Sequence, residues 1–153
     1  MQYKIRQAIT GGFLATIVMT VMMVMIGAWG LPKISPPAML SAMMGFPLAL
    51  GWISHFMIGM IFAAGYVFFL DHWLHRIHSR ILKGTIFGTA VFMIAQIAIP
   101  VLNAALGTSN TPGQEGSFFL LVTGSLIGHI AYGITVALAV KAGRHATSGH
   151  PMA

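Results

Sequence analysis

Four long apolar stretches separated by short polar segments dominate the pattern of this chain. They cover about residues 9–30, 48–70, 84–102 and 118–140, and none contains Lys, Arg, Asp or Glu. About 20 apolar residues of α-helix cross the roughly 30 Å hydrocarbon core of a bilayer, where a central charge costs about 2.5–3.5 kcal/mol. The pattern predicts an all-α fold, a four-transmembrane-helix bundle forming a single membrane domain over residues 1–153.

The two longer connections differ in character. Pro36 follows Ser35 as at a helix start, and apolar residues then recur at helical spacing until Gly45. This predicts a short interfacial helix over residues 36–44, lying on the outer membrane face. Residues 103–117, rich in Gly, Thr, Ser and Asn, predict an irregular and mobile loop, and Pro100 is expected to bend or end the third span.

Composition narrows the chemistry. Only 7% of the 153 residues are charged, where a soluble domain has about a quarter, and the mean hydropathy is +0.85. With two acidic residues and no cysteine, paired-carboxylate catalysis, disulfides and thiolate metal sites are excluded. The first apolar stretch exceeds the 7–15 residues of a secretory signal, so we expect a retained span.

Basic residues predict the orientation. Lys33 alone is expected on the outer side with Glu115, and the other seven fall on one flank of the spans: Lys4, Arg6, Arg76, Arg80, Lys83, Lys141 and Arg144. The positive-inside rule makes that flank the cytoplasm, which predicts that both termini are cytoplasmic. The expected partner of these charges is the lipid bilayer, with no nucleic acid.

The two halves of the chain show signs of an internal repeat. Gly11 and Thr16 match Gly84 and Thr89 at an offset of 73, and His55 matches His129 at an offset of 74. Two tandem helix hairpins of the same orientation would be related by a pseudo-twofold axis along the membrane normal.

A histidine flanked by small residues marks spans two and four. Gly59 follows His55 by four residues, as Gly133 follows His129, so each pair shares a helix face. Buried ionisable residues in a membrane indicate function by default. The candidate ligand site comprises residues expected at similar depth: His55, Gly59, Gln96, His129, Tyr132 and Gly133.

Three interpretations of this candidate site stay open. In the favoured one, the histidines form structural hydrogen bonds in a polar pocket of a non-catalytic accessory or structural membrane subunit. In the second, His55 and His129 bind haem b or a transition metal in a redox or ligand-binding bundle. The third is a small transporter, for which the repeat is the main indication.

Three further patterns have simpler explanations. His72, His75 and His78 could hold a metal, but an interfacial segment at headgroup level is favoured. Methionines at helical spacing suit Cu(I), yet usually serve as adaptable packing residues. Gly-x-x-x-Gly motifs at Gly84 and Gly124 predict close crossing of spans three and four, or contact with a second copy, which permits a homodimer or a larger membrane complex.

Short motifs across residues 11–140 resemble those of a family of small four-span bacterial inner-membrane proteins of unknown function. The motifs are Gly11-Gly12-Phe13-Leu14-Ala15-Thr16 with Met19-Thr20, Met43-Met44-Gly45-x-Pro47, Gly51-Trp52-x-x-His55-Phe56-x-x-Gly59 and Gly128-His129-x-x-Tyr132-Gly133. The resemblance implies a four-helix membrane fold and brings no activity, substrate or cofactor with it.

Overall fold

The protein is a membrane protein built from helices. A computed structural model describes residues 1–108 and 116–148, with side chains through Val140, and these residues contain no β-strand. Four helices are long and apolar enough to cross a membrane, which confirms the predicted fold class. The helices are α1 (Gln2–Ala28), α2 (Pro36–Met44), α3 (Leu48–Trp73), α4 (Arg80–Leu106) and α5 (Phe118–Ser148).

Each of the four spanning helices extends beyond its apolar stretch, because backbone hydrogen bonds continue where the side chains become polar. Ser79 caps α4 by accepting a hydrogen bond from the Leu82 amide at 3.3 Å, a cap that was not predicted from the sequence. The same helix continues past Pro100 to Leu106, so the prediction of an irregular loop was wrong for residues 103–106. Residues 107–108 and 116–117 are not helical, and residues 109–115 of that predicted loop lie outside the described part of the chain.

A π-helical turn over Tyr66–Leu70 interrupts α3, and nothing in the sequence predicted it. The Tyr66 side chain is 1% exposed, and its ring centroid lies 5.0 Å from that of Phe87 in α4. One turn further, Lys83 forms an ion pair with Asp71 at 3.2 Å. These contacts join α3 to α4 at the end of the bundle where α1 begins, called here the basic end because Lys4, Arg6, Arg76, Arg80 and Lys83 lie there.

The four spans pack in the order α3, α1, α5, α4, with α1 and α5 at the centre. Glycines allow close approach at two of the three interfaces. A Cβ atom at Gly59 would collide with the Thr16 hydroxyl of α1, and one at Gly88 would collide with the His129 carbonyl oxygen of α5. The motif that begins at Gly84 therefore serves the crossing of α4 with α5 inside one chain, as predicted. For the motif that begins at Gly124 the prediction was wrong, because its glycines face Ile26 and Met23 of α1.

Helix α2 covers the other end of the bundle, called here the α2 end. It occupies the residues predicted for the short helix and stops at Gly45, whose φ of 66° suits glycine. Its apolar side faces the bundle: Met43 is 1% exposed, and Gly51 of α3 packs against the Pro37 carbonyl. The helix thus packs mainly on α3 and turns its apolar side to the bundle.

Replacing Gly88 by alanine tests the close crossing. We expect Gly88→Ala to lower the free energy of unfolding by about 1–3 kcal/mol, because the new methyl group must push α4 away from α5. The measurement is reversible unfolding in mixed micelles, followed by circular dichroism. In the matched control Gly65→Ala the methyl group meets no atom within 4 Å, and stability should rise by about 0.5–1 kcal/mol. Equal effects of the two substitutions would contradict this packing.

Candidate functional site

A cavity of about 270 Å³ lies between the four spans at the α2 end. Its wall is mostly apolar and draws on all five helices, and its polar members are Thr16, His55, Gln96, Ser125, His129 and Tyr132. The cavity is close to the lower limit of the roughly 300–1,000 Å³ of sites for drug-sized ligands. The arrangement of few polar groups in an apolar wall is typical of a small-molecule site.

The cavity opens sideways between α3 and α4. These two helices meet mainly at the basic end, and towards the α2 end they leave a gap. Ile58 of α3 and Ile94 of α4 both line the cavity, yet they are 39% and 49% exposed. Gln96 is exposed at the same opening. In a membrane, this opening faces the hydrocarbon of the bilayer.

Aromatic side chains close the cavity towards the basic end. Tyr132 is 2% exposed and donates its hydroxyl proton to the Gly59 carbonyl at 2.5 Å, which links α5 to α3. The Phe87 ring lies between Tyr132 and Tyr66, with centroid distances of 6.0 and 5.0 Å. Below this layer Val136 is fully buried. The cavity therefore has a floor and does not continue through the bundle.

His55 is held from α1. Its Nε2 lies 3.3 Å from the hydroxyl oxygen of Thr20, and the side chain is 6% exposed. Thr20 in turn donates its hydroxyl proton to the Thr16 carbonyl at 2.8 Å. The ring is also in edge contact with Phe56, 6.1 Å between centroids. These contacts fix the imidazole against one wall of the cavity.

His129 is held by its own helix and by α4. Its Nδ1 lies 2.7 Å from the Ser125 carbonyl oxygen, one helical turn earlier. The ring of Phe92 contacts the imidazole edge-on, with 5.7 Å between centroids. The ring is therefore fixed in orientation while its residue lines the cavity.

The structure brings five of the six candidate residues together: His55, Gly59, Gln96, His129 and Tyr132 all line the cavity. Gly133 lies elsewhere, because it packs against Gly84 and Gly88 of α4. Helical spacing alone places His129 and Gly133 on one broad face and does not separate a cavity wall from a helix crossing. The Trp52 ring lies 6.5 Å from that of His55, but this residue is 39% exposed and does not line the cavity.

The second histidine cluster lies at the basic end. Helix α3 ends at Trp73, so His75 and His78 lie beyond it and share no helix face with His72. His72, His75 and His78 are all exposed, and Nδ1 of His75 lies 2.9 Å from the His72 carbonyl oxygen. Among the described residues, no three His, Cys, Asp or Glu side chains are placed to share a metal ion.

Sequence reasoning missed the contribution of the α1–α2 region to the wall. Met19 and Met23 of α1, and Met39 and Met43 of α2, line the cavity. Their helical spacing was visible in the sequence, but spacing does not tell which methionines face inwards. Met25 and Met57 have the same spacing and are 43% and 52% exposed.

Comparison with known proteins identifies one relationship. The profile of a family of unknown function (DUF6789) matches residues 2–149, nearly the whole chain. Neither the curated proteins nor the solved structures give a significant match.

Removing the Thr20 hydroxyl tests the support of His55. We expect Thr20→Val to lower the free energy of unfolding by about 1–3 kcal/mol more than Thr123→Val does, because a buried imidazole N–H then lacks an acceptor. Thr123 is the matched control, since its hydroxyl also donates to a carbonyl of its own helix, that of Phe119. The difference in the free energy of unfolding is measured by unfolding both variants in micelles. Equal losses of stability in the two variants would show that the Thr20–His55 contact contributes nothing.

Proposed function

The chain belongs to this family of unknown function, and we propose that it is a non-catalytic membrane protein that binds a small apolar molecule from the bilayer. One observation carries the proposal: a cavity between the spans is lined by fixed polar groups and opens sideways between α3 and α4. A molecule dissolved in the bilayer reaches such an opening without crossing water. Burial of its apolar surface against the wall supplies the binding energy.

A non-catalytic role is supported by the chemistry that lines the cavity. Its titratable side chains are His55, His129 and Tyr132, and no carboxylate lies beside them among the lining residues. Glycosyl transfer needs two carboxyl groups, and acyl transfer needs a nucleophile paired with a base. The Ser125 hydroxyl lies 3.5 Å from Nδ1 of His129, but this nitrogen donates its hydrogen to the Ser125 carbonyl and so has no lone pair with which to take the hydroxyl proton. Hydrogen bonds and apolar contacts are enough for binding. The same proposal includes a role as an accessory subunit, either in a homodimer or in a larger membrane complex.

The size of the cavity favours hydrogen bonding over axial haem ligation. One ring nitrogen of each histidine is hydrogen-bonded, that of His55 to Thr20 and that of His129 to the Ser125 carbonyl. A haem between the other two nitrogens would have to fit a cavity of about 270 Å³, which is close to the lower limit for drug-sized ligands. The aromatic floor at Tyr132 likewise supports binding better than transport, which needs access from both sides.

We also propose that the basic end faces the cytoplasm of a bacterial inner membrane. Five basic residues whose side chains the structure describes lie at this end, and Lys33 lies near the other. The K/R bias of short loops sets orientation during insertion.

Cysteine labelling tests the orientation, because the native chain has no cysteine. We expect a membrane-impermeant maleimide to label Ser117→Cys in intact spheroplasts and to label His78→Cys only after permeabilisation. Ser117 and His78 are both exposed, and they lie at opposite ends of the spans. The reverse labelling pattern would overturn the proposed orientation.

Filling the cavity tests the binding function. The probe is 4-bromoanisole, whose bromine quenches tryptophan, and the reporter is Trp52 in a Trp29→Phe/Trp73→Phe background. We expect saturable quenching that Ala95→Phe abolishes, because Ala95 lines the cavity. In the control Ala90→Phe the ring is added at an exposed position of the same helix that lies outside the cavity wall, and saturation should persist. Linear quenching that is identical in all three proteins would contradict a binding site.

A further inference from the structure

The proton on His129 can be located from its contact with Ser125. A carbonyl oxygen only accepts, so the 2.7 Å contact requires the hydrogen on Nδ1. A charged imidazolium inside the membrane is costly, so the ring is neutral and its Nε2 carries a lone pair. No donor among the described residues lies within hydrogen-bonding distance of this nitrogen. The described residues also contain no side-chain nitrogen that is both inaccessible and without a hydrogen-bond partner, so this nitrogen must be accessible. Nε2 of His129 is therefore an acceptor accessible from the cavity.

The same reasoning gives the opposite tautomer for His55. The Thr20 hydroxyl donates its single proton to the Thr16 carbonyl, so its oxygen accepts from Nε2–H of His55. In the neutral ring the lone pair then lies on Nδ1. No donor of the described residues reaches that nitrogen, which is accessible from the cavity for the same reason as Nε2 of His129.

Most of the other hydroxyl groups near the cavity donate their protons to backbone carbonyls. Thr16 donates to the Gly12 carbonyl and Tyr132 to the Gly59 carbonyl. The two histidines thus present two fixed acceptors in a mostly apolar wall, which also holds the Gln96 amide and the Ser125 hydroxyl.

Resting on the proposed function, we propose that the cavity selects bilayer-soluble molecules with a hydroxyl donor, such as phenols, whose single hydroxyl proton is donated to the lone pair of His129 or of His55. The hydroxyl forms the hydrogen bond and the apolar body fills the methionine-rich wall. A molecule whose oxygen only accepts brings its lone pair against another lone pair and leaves the imidazole unpaired. A polar group buried without its partner costs about 1–3 kcal/mol, which gives the site its selectivity.

The experiment compares 4-bromophenol with 4-bromoanisole, which differ by the methyl group that replaces the hydroxyl proton. Binding is followed by Trp52 quenching in the Trp29→Phe/Trp73→Phe background at pH 7, where the phenol is neutral. We expect about tenfold tighter binding of the phenol, the ratio that corresponds to one hydrogen bond of about 1.4 kcal/mol. His129→Leu should reduce the ratio several-fold, while His129→Gln, which places a carbonyl oxygen near the position of Nε2, should retain part of it.

The outcomes separate the two proposals. Equal saturable binding of the two probes, or a ratio that neither His129→Leu nor His55→Leu changes, overturns the hydroxyl preference and leaves the binding function standing. Failure of both probes to saturate overturns the binding function and the preference together. If His129→Leu does not fold, the ratio measured with His129→Gln and His55→Leu decides the question.

Discussion

The cost of an unpaired polar group in hydrocarbon governs this structure. Within the spans, hydroxyl groups return their protons to backbone carbonyls one turn earlier, as Thr16 and Thr20 do, or reach a neighbouring helix, as Tyr132 does at Gly59. Among the described residues, no side-chain nitrogen or oxygen is both inaccessible and without a hydrogen-bond partner. Polar groups that have no hydrogen-bond partner within the bundle consequently lie at the cavity. There, ring nitrogens of His55 and His129 remain open to a molecule from outside the chain.

Close packing elsewhere explains why a cavity exists at all. Small residues bring α1 against α3 at Gly59 and α4 against α5 at Gly88, so both hairpins are tight. The predicted pseudo-twofold would relate the central α1–α5 contact to one between α3 and α4. That second contact is confined to the basic end, where Tyr66 meets Phe87 and Asp71 meets Lys83. The cavity occupies the place of the missing half of this interface, and α2 covers it. The repeat itself stays a prediction.

The sequence predicted what depends on local pattern. Apolar runs gave the four spans, helical spacing with Gly45 gave α2, and depth in the membrane placed His55, Gln96 and His129 at one level. Properties that depend on how helices rotate against each other were not predictable. Gly133 and His129 share a broad face, yet one packs on α4 and the other lines the cavity. The π-helical turn at Tyr66 and the inward side of α2 arise from tertiary packing, for which a single sequence carries no periodic signal.

A wall of methionines around fixed imidazoles combines two kinds of recognition. Met19, Met23 and Met43 have unbranched, polarisable side chains that adapt to ligands of different shape, so the apolar part of the wall discriminates weakly. The imidazoles cannot adapt in this way, because Thr20, the Ser125 carbonyl and Phe92 hold them. Discrimination therefore falls on the atom that meets the histidines rather than on the outline of the ligand. Since the opening between α3 and α4 faces hydrocarbon, the molecules offered to these atoms are those that the bilayer already dissolves.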